Sequence, residues 1–311
     1  MSDAAAPGRR VLRRLMDSDI VYEFRRSPAA VLSGLVVLAC LLGAALTPWL
    51  APHDPFDLAK LDLMDSFKPP LWSSGAEWSY PLGTDDQGRD VLSGILYGMR
   101  ISLLVGLSAV LFASLAGIGI GLIAGYLGGV ADAALMRVAD IQLTFPAILM
   151  ALLIDGVIAA ALPRSLREHL ALFVVILAIG VSRWPQFARI VRGATMVERS
   201  REYVLAAQVI GLSPVRIMAV HILPNVMTPV LVIATLTLGL AILDEATLSF
   251  LGVGLPATQP SLGTLIRIGN DFLFSGEWWM AVFPGLTLAL MALSINVLGD
   301  WLRDALNPRL R

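Results

Sequence analysis

The feature that most constrains this chain is a series of six apolar stretches, most of them long enough to cross a lipid bilayer as a helix. Such a helix needs about 20 apolar residues, because the hydrocarbon core offers no water to the backbone polar groups. The sequence therefore predicts an all-α, polytopic membrane protein with six transmembrane helices. The stretches cover residues 28–50, 101–124, 135–162, 170–184, 226–250 and 279–301.

The composition supports this class and excludes several others. Of the 311 residues, 57% are hydrophobic and 15% are charged, whereas a soluble domain carries about 25% charged residues. The formal net charge of -1 excludes a protein that binds nucleic acid through bulk positive charge. The single cysteine, Cys40, excludes a disulfide framework and a cysteine-based metal site.

The positions of the arginines predict how the chain crosses the membrane. Most of the 23 lysine and arginine residues lie in three segments, at residues 1–27, 183–225 and 303–311. Cytoplasmic segments of membrane proteins carry an excess of these residues. We therefore expect both termini in the cytoplasm and the loop of residues 51–100 on the outer side of the membrane.

The 51–100 loop is acidic and rich in proline, which predicts a mostly irregular backbone. Loops of this length are usually functional or disordered. Two interpretations follow: the loop contacts an external partner, or it forms a solvated cap over the helices. Its acidic residues are Asp54, Asp57, Asp62, Asp65, Glu77, Asp85, Asp86 and Asp90.

Residues 1–27 form a separate segment before the first span. Apolar residues recur there at roughly helical spacing, and the arginines largely occupy the other positions. This pattern predicts an amphipathic helix on the cytoplasmic membrane surface, with packing against a partner subunit as the alternative. The apolar residues are Val11, Leu12, Leu15, Met16, Ile20, Val21 and Phe24.

Charged residues inside the spans are candidates for a transport path or a gate. Arg137 and Asp140 are three residues apart and share a helix face, so they form either a structural ion pair or part of a gate. Asp244 and Glu245 lie near the outer end of the fifth span. They either line a path and attract a substrate ammonium group, or cap the helix and face water. Pro146 is expected to kink the third span.

The sequence shows neither a phosphate-binding nor a catalytic motif. The two lysines, Lys60 and Lys68, do not stand in a Gly-Lys-Ser/Thr phosphate loop. The histidines His53, His169 and His221 lack metal-ligand spacing, and no Gly-x-Ser-x-Gly elbow is present. We therefore expect a non-catalytic chain that holds no metal or nucleotide. A membrane-embedded enzyme and an ATP-independent secondary transporter or channel are the alternatives from other classes.

The link between the fourth and fifth spans predicts a helical hairpin. Its first helix covers about residues 198–210, and Gly211 suits the position after the helix C-cap. Ser213 is suited to the N-cap of a second helix, with Pro214 at its first position. Residues 223–225 are expected to stop that helix before the fifth span. A protruding hairpin of this kind is a suitable mechanical connector.

The stretch REYVLAAQVIGLSPVRIMAVHILPN, residues 201–225, resembles the EAA loop of permease subunits of ABC importers. The family pattern is Glu-Ala-Ala, three residues, Gly and about a dozen residues to Leu-Pro. Leu205 stands where the family has Glu, and Glu202 lies one turn earlier. The matching residues are Ala206, Ala207, Gly211, Leu223 and Pro224. The resemblance implies a contact with an ATPase at Leu205, Ala206, Ala207, Gly211, Leu212, Ser213, Pro214 and Arg216.

Four further stretches resemble the C-type permeases of dipeptide, oligopeptide and nickel importers, in the order of that family. The first is PLGTDDQGRDVLSGILYGMRISLLVG at residues 81–106, and the others lie at 136–149, 245–254 and 298–311. Tyr80 and Gly94 stand where the family often has His and Arg. The first stretch implies a candidate motif in the external loop, with Gly83, Thr84, Asp85, Gly88, Arg89 and Asp90.

These resemblances imply a type I importer permease fold, with a five-helix core at residues 101–302 and a cytoplasmic coupling loop at 187–225. They imply a homologous B-type permease as partner, two cytoplasmic ATPase subunits that hold ATP and Mg, an external substrate-binding protein and surrounding lipid. The expected location is the bacterial inner membrane. Dipeptides or oligopeptides are the expected substrates, with nickel chelates, glutathione and oligosaccharides as alternatives.

Overall fold

The computed structural model describes residues 19–55, 61–256, 259 and 261–306. Shorter helical turns cover Thr47–Leu50, Leu63–Asp65 and Leu273–Ser275. The main helices are α1 (Asp19–Arg26), α2 (Pro28–Ala45), α3 (Val91–Leu127), α4 (Gly129–Thr144), α5 (Ala147–Ala161), α6 (Arg164–Arg199), α7 (Glu202–Val209), α8 (Pro214–Phe250), α9 (Leu262–Asp271) and α10 (Trp279–Ala305).

Five helices have the length and apolar composition to cross a membrane on their own, which agrees with the predicted membrane class. They are Pro28–Ala45, Val91–Leu127, Leu170–Arg199, Pro214–Phe250 and Trp279–Ala305. The predicted third span is not one helix, because α4 and α5 are bent by 96° at their junction. Phe145 there is extended, with ψ 135°, as expected for a residue that precedes a proline. Pro146 thus breaks the span, and the bent pair makes a sixth crossing if it counts as one.

Helices α3 and α6 form the centre of the packing, and glycines on α3 allow their close approach. The spacing of Gly117, Gly121 and Gly125 predicts such a contact surface. A Cβ atom on Gly121 would lie 2.6 Å from the Ala188 carbonyl oxygen, and one on Gly125 would lie 2.7 Å from Thr195 Cβ. The prediction of close packing is confirmed, because a side chain at these positions has no room.

Two large apolar clusters hold most of the remaining helices on this centre, and a smaller one joins α4 to it through Met136. One joins α3, α6 and α8 and extends to α7 through the buried residues Val204 and Ala207. The other joins α3, α8, α9 and α10, with Ile242, Leu262 and Met291 buried in it. The connecting helix α7 is therefore packed on the same core as the spans.

Helix α6 is longer than the sequence predicts. The predicted fourth span ends at residue 184 and a coupling loop begins at 187, whereas α6 continues to Arg199. Arginines that interrupt the apolar pattern stay within the helix because each pairs with an acidic residue of a neighbouring helix. The pairs are Arg183–Asp244, Arg189–Asp140 and Arg192–Asp132.

Helix α3 begins earlier than predicted, and the first span ends earlier. Asp90 caps α3, with Oδ2 accepting hydrogen bonds from Ser93 N at 2.9 Å and Ser93 Oγ at 2.5 Å. The loop that is predicted to lie outside the membrane, called the external loop below, therefore ends at Asp90 and not at residue 100. The first span ends at Ala45, and Pro48 lies in the separate helical turn that follows.

The described part of the N-terminal segment is α1, which packs on the last span. The Phe24 ring lies edge-on to the Trp301 ring, with centroids 5.0 Å apart. Residues 1–18, which carry most of the predicted amphipathic pattern, lie outside the described residues, as do residues 307–311 of the tail.

Candidate functional site

The hairpin between α6 and α8 is closed by a complete helix C-cap at Gly211. The Gly211 N–H donates to the Gln208 carbonyl at 3.0 Å, and the Leu212 N–H donates to the Ala207 carbonyl at 3.1 Å. These two bonds define a Schellman motif. The φ angle of Gly211 is +79°, a conformation that residues with a Cβ atom rarely adopt. The prediction of Gly211 at this position is confirmed.

The second half of the hairpin begins as predicted but does not stop. Ser213 Oγ accepts a hydrogen bond from the Arg216 N–H at 3.4 Å, and Pro214 occupies the first turn. The expected stop at Pro224 does not occur. A π turn at Ile217–Ile222 carries the helix onward, with the Leu223 N–H bonded to the Met218 carbonyl. Because a π turn is wider than an α turn, the helix continues through Pro224 although this residue has no N–H to donate.

The outer face of the hairpin is apolar and exposed. Val209, Ile210 and Val215 are 89%, 74% and 71% exposed. Large apolar side chains in this state form a candidate surface for another protein. We call this surface the hairpin cap, and it consists of Leu205, Val209, Ile210, Gly211 and Val215.

Ala206 and Ala207, the two alanines of the predicted ATPase contact, point in opposite directions from α7. Ala206 is exposed, whereas Ala207 is buried at 3% exposure against the core. Ala207 therefore holds α7 on its own protein and is not available to a partner, because residues one position apart on a helix point in different directions. Leu212 also packs partly on the core. The remaining predicted contact residues, Ser213, Pro214 and Arg216, are exposed.

Hydrogen bonds fix the hairpin to the ends of the two spans that it joins. The Tyr203 hydroxyl donates to Glu198 Oε2 at 2.5 Å and accepts from Asn225 Nδ2 at 3.0 Å. Burial and the bond to Glu198 raise the pKa of Tyr203. Tyr203 thus links the end of α6 to α8 through α7. Sequence reasoning missed this residue, because a lone tyrosine in a helical pattern gives no signal of its partners.

The charged residues predicted for a path have different partners from those expected. The predicted pair of Arg137 with Asp140 does not form, because Asp140 Oδ1 accepts from Arg189 Nη2 at 2.7 Å. Asp244 Oδ2 accepts two hydrogen bonds from Arg183, from Nε at 2.9 Å and from Nη2 at 2.5 Å. The pairs therefore join different helices, and Arg137 is exposed.

Glu245 is fully buried, so the interpretation that it caps a helix and faces water is wrong. Its side chain is 0% exposed. One carboxylate oxygen accepts from Ser102 Oγ and the other from Ser249 Oγ, each at 2.7 Å. Ser102 Oγ in turn accepts from the Leu262 N–H at 3.3 Å. This network joins α3, α8 and the start of α9.

The candidate motif of the external loop is folded inward. Thr84 is 0% exposed, and its Oγ1 donates to the Asp65 carbonyl at 2.5 Å. The Thr84 carbonyl accepts from Trp279 Nε1 at 3.1 Å. Asp85 Oδ1 accepts from the N–H groups of Gln87 and Arg89 at 2.9 and 2.8 Å. Burial raises the pKa of Asp85 to about 6.

Two glycines of this motif are needed for its tight turns. Gly83 and Gly88 have φ angles of +83° and +76°. A Cβ atom on Gly83 would lie 2.6 Å from the Lys68 carbonyl oxygen, and one on Gly88 would collide with the Asp62 carbonyl. Together with Asp90 as the N-cap of α3, these residues shape the loop and anchor it to the span that follows.

Polar side chains tie the loop together beside the motif. Lys68 Nζ lies 2.5 Å from Asp65 Oδ1 and 2.7 Å from Glu77 Oε1, and the Tyr80 hydroxyl donates to Asp65 Oδ2 at 2.6 Å. The hydrogen bonds from Lys68 and Tyr80 lower the pKa of Asp65. The bond to Asp65 raises the pKa of Tyr80 to about 12.

Two family models match the chain. Residues 117–311 match the family described as binding-protein-dependent transport system inner membrane component. Residues 18–70 match the N-terminal TM domain of oligopeptide transport permease C. The first match includes the hairpin cap and the buried charges of α6 and α8.

Similar proteins extend over nearly the whole chain. The di/tripeptide transport system permease protein DppC of Pseudomonas aeruginosa is 38% identical, covering 95% of this chain and 96% of the relative. The dipeptide transport system permease protein DppC of Escherichia coli is 40% identical, covering 93% and 92%. The protein of the same name from Haemophilus influenzae is 37% identical, covering 93% and 94%.

A solved structure has a similar fold. It is described as inward-facing conformations of the MetNI methionine ABC transporter, and it matches with a TM-score of 0.51 at 18% sequence identity. The match covers 69% of this chain and 96% of that chain. The shared fold agrees with the expectation of a type I importer permease.

Proposed function

The chain belongs to the family of binding-protein-dependent transport system inner membrane components, and on that premise we propose that it is the permease subunit of an ATP-driven importer of dipeptides or oligopeptides. Relatives with 37% to 40% identity bear the names of dipeptide or di/tripeptide permeases. In this proposal the chain forms half of the translocation path, and a homologous B-type permease forms the other half.

The observation that carries the proposal is the hairpin cap. Its apolar side chains are exposed on a short helix that is packed on the spans, and an exposed apolar patch of this kind fits a docking surface. We place the cytoplasmic ATPase subunits on this cap. These subunits bind ATP and Mg, while this chain binds neither.

The attachment of the cap suits transmission of force. Buried Val204 and Ala207 pack α7 on the core, and Tyr203 connects it to both adjoining helices. A push on the cap therefore moves α6 and α8 as one body, which is the type of motion by which domain closure is transmitted. ATP binding in the partner subunits thereby shifts the permease between two conformations.

The proposed orientation puts both termini and the hairpin in the cytoplasm of a bacterial cell, with the protein in the inner membrane. The support is the excess of arginine in residues 1–27, 183–225 and 303–311. The loop of residues 51–90 then lies outside, where an external substrate-binding protein delivers the peptide.

The experiment that tests this function is uptake of labelled dialanine into vesicles that contain the complete complex. Uptake should require ATP, the ATPase subunits and the external binding protein together. Uptake by this chain in the absence of ATP and the ATPases would contradict the proposal and indicate a secondary transporter or channel.

A further inference from the structure

The ion pair between Arg183 of α6 and Asp244 of α8 is open along one edge. Both hydrogen bonds of the arginine, from Nε and Nη2, end on the same carboxylate oxygen, Oδ2. Among the described residues, no hydrogen bond satisfies Asp244 Oδ1 or Arg183 Nη1. The side chains of Arg183 and Asp244 are 10% and 17% exposed. Each side chain therefore has one polar atom without a hydrogen-bond partner among the described residues, and we call these two atoms, Asp244 Oδ1 and Arg183 Nη1, the open edge.

This open edge is not suited to contact with lipid. A charged group that faces the hydrocarbon core is strongly unfavourable, so such groups face protein or a water-filled cavity. Arg183 and Asp244 lie in two helices that each have the composition of a membrane span. In a permease, the water-filled surface between the spans is the translocation path, so we place the edge there.

Fixed neighbours hold the pair in position. Next to Asp244, both oxygens of Glu245 are bonded to serine hydroxyls at 2.7 Å. Next to Arg183, Trp184 Nε1 donates to Gln142 Oε1 at 2.9 Å. These bonds tie both helices to α3 and α4, so the charged groups need little reordering when they bind a ligand, which favours binding.

We propose that this edge binds the two charged termini of a short zwitterionic peptide within the permease. The peptide ammonium group binds Asp244 Oδ1, and the peptide carboxylate binds Arg183 Nη1. The inference rests on the proposed function and extends it, because it assigns to the permease itself a site that recognises the peptide termini.

The charges and the distances agree with this ligand. Arg183 and Asp244 neutralise each other, so the site has no net charge and suits a ligand without net charge. The termini of an extended dipeptide lie at most about 7 Å apart, and Arg183 and Asp244 are directly paired, so one short peptide can reach both residues. A peptide with one terminus blocked carries a net charge and leaves one group of the site without a partner, which costs affinity.

The test measures binding of radiolabelled dialanine to the purified membrane complex of both permeases and both ATPases, without the external binding protein. The competitors are N-acetyl-dialanine, which has no ammonium group, and dialanine amide, which has no carboxylate. With the unaltered complex, each blocked peptide should compete at least tenfold more weakly than dialanine.

Substitutions of Asp244 and Arg183 show which of the two residues binds which terminus of the peptide. Asp244→Asn should abolish discrimination against the acetylated peptide and retain it against the amide, and Arg183→Gln should do the reverse. The double variant Arg183→Gln/Asp244→Asn leaves no unpaired charge, so it tests the site where a single variant fails to fold. It should bind dialanine at least tenfold more weakly than the unaltered complex.

The pair Arg192–Asp132 provides the control, because it also joins α6 to another helix and its side chains are only 34% and 14% exposed. Arg192→Gln/Asp132→Asn should leave dialanine binding within twofold of the unaltered value. A similar loss in both double variants would indicate a general effect of removing an ion pair and would overturn the proposal.

Two further results would overturn the inference: no saturable binding to the unaltered complex, or an unchanged preference against the acetylated peptide in Asp244→Asn. ATP-driven uptake separates this failure from failure of the proposed function. If uptake needs ATP but the double variant binds dialanine normally, the importer assignment stands and the peptide site is rejected. If uptake does not need ATP, the importer assignment is itself rejected.

Discussion

The external loop at residues 61–90 and the hairpin at residues 200–222 both connect spans, but they arrange their side chains in opposite ways. In the loop, the motif residues Thr84, Asp85 and Asp90 are 0%, 8% and 2% exposed. In the hairpin, Val209 and Ile210 are 89% and 74% exposed. The loop has polar groups inside and the hairpin has apolar groups outside.

This difference indicates what each motif contributes. Buried polar groups that bond across distant segments hold those segments together, as the Thr84 carbonyl does by accepting from Trp279 Nε1, so the loop motif shapes the fold around the start of α3. Exposed apolar groups contribute little to the stability of their own chain and are available to a partner. Substitutions in the loop should therefore change stability, and substitutions in the hairpin cap should change transport.

The largest expected effect is that of Gly88→Val in the loop. Gly88 has a φ angle of +76°, and a Cβ atom would collide with the Asp62 carbonyl, so strain and overlap together should cost more than about 3 kcal/mol. We expect little folded protein, measured as monodisperse yield and thermal unfolding. The control is Gly75→Val, since Gly75 has a φ of +89° but nothing within 4 Å. Equal stability of the two variants would contradict the structural role of the motif.

The next effect is a pH dependence from Asp85. Burial raises its pKa to about 6, above the value of about 3.9 in an unfolded chain. Between about pH 4 and pH 6, the Asp85 carboxyl group is therefore protonated in the folded state and ionised in the unfolded state. The resulting stabilisation is present in full below about pH 4 and is lost as the pH rises through 6, with a total change of at most about 3 kcal/mol.

Thermal unfolding between pH 4 and pH 7 measures this effect. Asp85→Asn is the matched variant, because its amide oxygen still accepts hydrogen bonds from the N–H groups of Gln87 and Arg89. The unaltered protein should lose stability relative to Asp85→Asn as the pH rises. The same pH profile in both proteins would show that Asp85 does not titrate in this way.

In the hairpin, Gly211→Val should impair transport far more than stability. The φ angle of Gly211 is +79° and a Cβ atom would meet nothing within 4 Å, so only backbone strain arises, at about 1–2 kcal/mol. The strain breaks the C-cap and reorients the hairpin cap, and ATP-driven uptake should fall at least tenfold. Gly211→Asn, which tolerates this φ angle, should retain most of the uptake. Normal uptake in Gly211→Val would count against the cap.

The smallest effect distinguishes two valines of α7. Val209 is 89% exposed, so Val209→Ser should change stability by less than about 0.5 kcal/mol but reduce co-purification of the ATPase subunits several-fold. Val204 is 0% exposed, so Val204→Ser should cost about 1–3 kcal/mol of stability and leave ATPase binding by the folded fraction intact. Equal ATPase binding by both variants would place the contact elsewhere.

The sequence predicted the apolar spans and the helix ends at Gly211 and Ser213, because both depend on local patterns, but it did not give the exact limits of the spans. Apolar length marks a span, and Gly211, Ser213 and Pro214 each have a strong preference for one position at a helix end. Pro146 predicted a kink in the third span, but a pattern of residues does not give the angle of the bend.

The charge partners were not predictable in the same way. Arg183 and Asp244 are 61 residues apart, and only the packing of α6 on α8 brings them together. Arg183 in an apolar stretch was therefore interpreted as the end of the fourth span, and the predicted span was shorter than α6. The loop motif was predicted as a candidate external site for a similar reason, because burial of Thr84 under Trp279 depends on contacts between distant segments.

Site-specific cross-linking shows whether the hairpin cap contacts the ATPase subunits. Cys40 is the single cysteine, so a Cys40→Ala background carries either Ile210→Cys in the cap or Trp78→Cys, which is 89% exposed in the external loop. A short thiol-directed cross-linker is added to the complete complex with and without ATP. Cross-links to an ATPase subunit from Ile210→Cys but not from Trp78→Cys are the predicted result. Absence of that cross-link, or equal cross-linking from both positions, would show that the hairpin cap is not the contact with the ATPase subunits.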